Sequence, residues 1–168
     1  MSKFRSSDNT GLWIVGGFTI FVIVLLVLAV RSSAPINYSK KTTREITLLC
    51  TTDMATQFHI HPNLAIMVNG KQEEIPANVG ILPTCMNSIH THDATGKLHV
   101  EAPEKRDFTL ADFFAVWNKI YNKDQILDYK VDAGHQIRET VNGKEVSDFE
   151  NTVLRDDDRI IIYYEANK

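Results

Sequence analysis

Five of the chain's six histidines fall between His59 and His99. They come as His59-x-His61, then His90-x-His92, then His99 alone. Two residues at i and i+2 on a strand point the same way and lie about 6–7 Å apart. At that spacing two imidazoles can converge on one ion, and neutral imidazole is a good ligand for Zn, Cu, Ni and Fe. A single H-x-H is a weak signal because chance supplies many; two pairs and a fifth histidine on one strand face are a stronger one. His59, His61, His90, His92 and His99 are therefore the candidate metal ligands, and a transition-metal ion is the expected cofactor. An all-histidine set suits Cu(II) or Zn(II). Met67 and Met86 would suit Cu(I), although packing is the commoner role of a methionine. A metal-free polar face with a pH response is the alternative reading.

The surrounding residues narrow the chemistry. An H-x-H-x-D-H hydrolase pattern needs a further histidine after Asp93, and Ala94-Thr95 follow instead. Zincins place their histidines on a helix at i and i+4, whereas these lie on expected strands. Asp93 and Glu101 are cast as acceptors that orient ligating histidines; a hairpin-turn residue and an exposed strand glutamate are the competing readings. No catalytic residue is assigned. Cys50 and Cys85, the only cysteines, each precede an H-x-H. They read as a disulfide worth about 3–4 kcal/mol, or alternatively as two thiolate ligands. Nothing marks either thiol as an activated nucleophile. His135 stands alone and is expected in a loop without a role.

The elements that must position these groups are legible as alternation. Residues 57–68 read as a strand with Phe58, Ile60, Leu64, Ile66 and Val68 on one face and His59 and His61 on the other. Pro62 interrupts the ladder and predicts an edge or a bulge. Asn69-Gly70 is a hairpin turn into a strand over 71–75. Ile89 and Thr91 share one face of the next strand, His90 and His92 the other. After the turn at 94–97, Leu98 and Val100 point inward, His99 and Glu101 outward. Thr109 caps a helix with Asp112 in capping-box position, and Leu110, Phe113, Phe114, Trp117 and Tyr121 form its core-facing stripe. A second Asn-Gly turn at 142–143 joins strands over 137–141 and 144–146. Asp156-Asp157-Asp158 is a solvated turn before a last strand over 159–164.

The chain has 168 residues and a formal net charge of −3, room for one domain and an appendage. Scattered basic residues without an aromatic-basic stripe argue against nucleic acid. The stretch 11–30 carries no charged residue, and twenty such residues span roughly 30 Å as a helix. A cleaved signal peptide is the rival, but its apolar region is usually about 7–15 residues long, and the one plausible site, Ser32-Ser33-Ala34, is followed by Pro35. The expected organisation is a short tail over 1–10, a transmembrane helix over 11–30, a polar tether over 31–46 and a domain over 47–168. The expected fold class is α+β: that single membrane helix, then a small, mostly antiparallel sheet with one main helix and a β-grasp-like topology.

The motifs F-H-I-H-P (58–62), I-P-A-N-V-G-I (75–81), C-M (85–86), I-H-T-H-D-A-T-G (89–96), H-V-E-A-P (99–103) and F-T-L-A-D-F-F-A-V-W (108–117) resemble a family of bacterial and archaeal proteins. Its members carry one N-terminal hydrophobic segment and an extracytoplasmic domain. The similarity covers about residues 50–165, and I-H-T-H-D-x-T-G is its most specific part. The variant looks like those of small-genome candidate-phylum bacteria. Ala111 stands where the family pattern usually has Gly. The resemblance implies a location and an architecture but no reaction. Lys and Arg after residue 30 do not favour a cytoplasmic N-terminus, so an extracytoplasmic C-terminal domain rests on the cysteine pair and the resemblance. The leading expectation is a single-pass, membrane-anchored extracytoplasmic protein that binds, buffers or delivers Cu or Zn. An envelope enzyme, hydrolase or oxidoreductase, with Asp93 or Glu101 as acid/base is the second reading. A metal-free interaction module of an envelope complex is the third.

Overall fold

The computed structural model describes residues 21–25, 36–52 and 56–167. The chain divides into two units, Met1–Asn37 and Tyr38–Lys168, and the second carries the site. In chain order its elements are a 3-10 turn at Tyr38–Lys40, α1 (Thr43–Leu48), β1 (Phe58–Ile60), β2 (Asn63–Val68), β3 (Lys71–Glu73), β4 (Ile81–Leu82), β5 (Cys85–Met86), β6 (Ile89–His90) and β7 (His99–Ala102). There follow α2 (Leu110–Trp117), β8 (Tyr121–Asn122), β9 (Gln125–Ile126), β10 (Tyr129–Lys130), β11 (His135–Val141), β12 (Lys144–Val146), a 3-10 turn at Phe149–Asn151 and β13 (Arg159–Ala166).

The expected fold class needs correction. Among the described residues no helix is long and apolar enough to cross a membrane. Residues 21–25 are helical, and the rest of the expected 11–30 span lies outside the described residues. One small β-grasp-like sheet was expected to carry both histidine hairpins; the strands instead form four sheets. The largest has the order β12-β11-β13-β2-β3, with β13 parallel to β2 at its centre. The histidine strands form a separate sheet, β1-β7-β6.

The division arises at His61-Pro62. Proline has no N–H to donate to a ladder, so the run over 57–68 breaks into β1 and β2, which join different sheets. The backbone groups at the break find other partners. His61 N–H donates to Asp156 Oδ1 (2.8 Å), Asn63 N–H to the Asp158 carbonyl (2.8 Å), and the Pro62 carbonyl accepts from Leu98 N–H (2.9 Å). The parity survives the break: Ile60, Leu64, Ile66 and Val68 are all buried.

The core joins this apolar face to α2. Leu110, Phe113 and Phe114 are buried, with Trp117 and Tyr121 in ring contact; each fully buried side chain of this kind contributes roughly 1.5–3 kcal/mol. The helix starts where Asp112 accepts from Thr109 N–H (2.9 Å) and Oγ1 (3.1 Å). Arg44 of α1 reaches the same carboxylate (3.0 Å) and the Ala111 carbonyl (2.7 Å). Residues 38–46 of the expected tether are therefore built into the folded unit, with Ile46 buried.

Candidate metal centre

Strand register assembles the histidines. In β1 and β7, His59 stands opposite Glu101 and Ile60 opposite Val100; in β6 and β7, His90 stands opposite His99. Side chains alternate along β7, so Val100 and Ala102 enter the core while His99 and Glu101 face the other way. His61 and His92 extend the same face just beyond the ends of β1 and β6. All five rings meet. Centroids are 4.4 Å apart for His59–His61, 4.7 Å for His61–His99, 4.6 Å for His99–His92 and 4.8 Å for His92–His90. Two triads could hold a metal ion, His59/His61/His99 and His90/His92/His99, the ligand atoms of each lying within 4.8 Å of one another.

Two glycines allow close packing around the histidine hairpin, Gly96 within it and Gly80 against β6. Gly96 (φ +84°) lies so close to β2 that a Cβ would stand 2.2 Å from the Leu64 carbonyl oxygen. Leu64 N–H donates to the Gly96 carbonyl (2.8 Å), fixing the hairpin to the next sheet. Gly80 (φ +74°) packs under His90, and a Cβ there would meet the Ile89 carbonyl at 2.6 Å.

Hydrogen bonds set the tautomers. His90 is fully buried, and its Nδ1 lies 3.1 Å from the Asn87 carbonyl. A carbonyl can only accept, so Nδ1 carries the proton and Nε2 presents its lone pair. That Nε2 is 3.2 Å from His92 Nε2. Two nitrogens on one tetrahedral ion at about 2.0–2.1 Å are roughly 3.3–3.4 Å apart, so this pair is already spaced as two ligands of one ion. The full triads are looser and would close by about an ångström on an ion. His59 Nε2 pairs with Glu101 Oε1 at 3.2 Å. His99 Nδ1 is buried without a hydrogen-bond partner, an arrangement that costs about 1–3 kcal/mol.

The centre of the cluster is kept neutral. Burial, then the neighbouring His92, His61 and His90, push His99 down to about 4. Burial also lowers His90, against the opposing pull of the Asn87 carbonyl and Glu101. Neutral imidazole is the form that binds metal.

The other expected residues are placed as follows. Asp93 Oδ1 accepts from Thr95 N–H (2.9 Å) and from its hydroxyl, contacts that close the hairpin turn. Cys50 and Cys85 form a disulfide, which removes them as thiolate ligands. His135 opens β11, beside Asp132 (3.0 Å) and stacked on Tyr164. Two contributors escaped the sequence reading. Asn87 orients His90, and Asp156 accepts from His61 N–H with its carboxylate 3.9 Å from His61 Nδ1. The histidine spacing carries no signal for either, and Asp156 is 95 positions from His61.

No protein-family model, curated protein or solved structure matches the chain.

Proposed function

We propose that this domain binds a transition-metal ion, Cu or Zn, through its histidine cluster and holds or hands it on in an oxidising, extracytoplasmic setting. One observation carries the reading: His90 Nε2 and His92 Nε2 lie 3.2 Å apart, and His99 completes a triad whose ligand atoms lie within 4.8 Å of one another. An ion there would replace a proton shared between two imidazoles. The disulfide supports the compartment, because such bonds persist where the surroundings are oxidising. Binding is favoured over turnover because the carboxylates near the rings are engaged, Asp93 with Thr95, Glu101 with His59 and Asp156 with the His61 N–H.

The test is metal content of the full chain by mass spectrometry, after chelation and reloading with Cu(II) or Zn(II). The chain is expected to retain the ion through desalting, and a His90→Ala/His92→Ala double variant to lose it while remaining folded. A folded chain that retains neither ion contradicts the reading and leaves a polar interaction face as the better account.

A further inference from the structure

We propose that the cluster takes two transition-metal ions, one in each triad, with His99 bridging them through its two ring nitrogens. The inference rests on the metal-binding reading above and extends it to stoichiometry and to the role of one residue.

Both triads need His99, and neither has a third histidine without it. An ion bound in one triad through a single nitrogen of His99 leaves the other triad two histidines and the second nitrogen of the same ring. His99 lies at the middle of the series of rings, 4.7 Å from His61 on one side and 4.6 Å from His92 on the other. It is held on the central strand of its sheet, opposite His90.

The second observation is how the ring nitrogens are used. His90 Nδ1 is engaged by Asn87, His92 Nε2 by His90, and His59 Nε2 by Glu101. His61 Nδ1 faces Asp156. The His90–His92 contact is the one an ion would replace, whereas the contacts of His90, His59 and His61 to Asn87, Glu101 and Asp156 run to residues other than histidine. His99 differs: its Nδ1 is buried and has no hydrogen-bond partner. A bridging imidazole must give one nitrogen to each ion, and His99 is the ring that both triads share.

The proton balance is simple. Neutral His99 carries one N–H proton. The first ion takes the lone pair of the other nitrogen. The second ion displaces the remaining proton, which passes to solvent, and the imidazolate offers one lone pair to each ion. Each ion then has three protein nitrogens and, if four-coordinate, one position for water or for a ligand of the next carrier.

The experiment is a Cu(II) titration of the metal-free full chain, followed by electron paramagnetic resonance. The first equivalent should give an ordinary mononuclear signal. With the second equivalent the integrated spin should fall well below the copper present, because an imidazolate couples two Cu(II) ions antiferromagnetically. A His59→Ala/His61→Ala variant should bind a single equivalent with full spin. His99→Ala, with its fold checked by circular dichroism, should never show coupling. One equivalent in the unaltered chain, or two with full, uncoupled spin, overturns the bridge and leaves the metal-binding reading standing. A folded chain that takes up no specific copper removes both.

Discussion

The carbonyl oxygen of Asn87 lies 3.1 Å from Nδ1 of His90, and the Asn87 side chain donates to the carbonyls of Thr47 and Leu49 at 3.3 Å each. One residue therefore fixes the tautomer of a buried histidine and ties the end of α1 to the strand that carries it. Acceptors of this kind typically change metal affinity by about 10–100-fold when lost. Asn87→Ala removes the anchoring amide and frees the backbone to shift. Its affinity for Zn(II) or Cu(II), measured by competition with a chromogenic chelator, should fall by about tenfold or more. The variant should also lose about 1–3 kcal/mol of stability from the two bonds. Unchanged affinity in a destabilised variant would give Asn87 a purely structural role.

The disulfide sits at the other end of the same clamp. Cys50 and Cys85, 35 positions apart, join the chain just after Leu49 to the strand just before Asn87. Closing a loop of that length contributes about 4 kcal/mol on the chain-entropy account. Reduction, or a Cys50→Ser/Cys85→Ser double variant, should lower Tm by roughly 10 °C or more. Differential scanning calorimetry with and without reductant checks this.

Gly96 makes the closest approach in the hairpin. An alanine there must hold φ near +84° with its Cβ 2.2 Å from the Leu64 carbonyl. Gly70 is the control, because its φ is also positive, +82°, but nothing lies within 4 Å. Gly70→Ala should cost roughly 1 kcal/mol from backbone strain alone. Gly96→Ala should cost clearly more, about 3 kcal/mol or above, and should weaken metal binding because the hairpin carries His92. Urea unfolding of the two variants gives the difference directly.

The histidines set the pH dependence of the metal-free chain. His99 is pushed down to about 4 in the fold, against an ordinary value near 6.5. Between those values the unfolded chain binds more protons than the native one, so stability rises with pH across that window. Burial moves His90 in the same direction. Acidification from pH 6.5 toward 5, above the usual carboxylate range, should therefore lower the denaturation midpoint. His99→Gln should flatten that slope, and an unchanged slope would show that other groups carry it.

The sequence made one level of this organisation readable and hid another. Alternation correctly separated Ile60, Ile89 and Val100 from His59, His90 and His99, because a side-chain period of two is a local property of a strand. Both Asn-Gly hairpins and the Thr109–Asp112 cap were legible for the same reason. Partner choice was not. That β1 leaves β2 at Pro62 to pair with β7, or that β13 runs parallel to β2, depends on groups distant in sequence, such as the Asp156 carboxylate that receives His61 N–H. Most of the apolar run at 11–30 lies outside the described residues, among which no helix is long and apolar enough to cross a membrane. The role of Asn87 and the unpartnered Nδ1 of His99 became visible only with the hydrogen bonds.

The most direct test of the central claim is X-ray absorption at the metal edge of the Cu- or Zn-loaded full chain. The account predicts at least three nitrogen ligands at about 2.0–2.1 Å with the outer-shell scattering of imidazole rings, and loss of that pattern in the His90→Ala/His92→Ala variant. A shell of oxygen ligands without imidazole scattering, or a spectrum that the double substitution leaves unchanged, would contradict it.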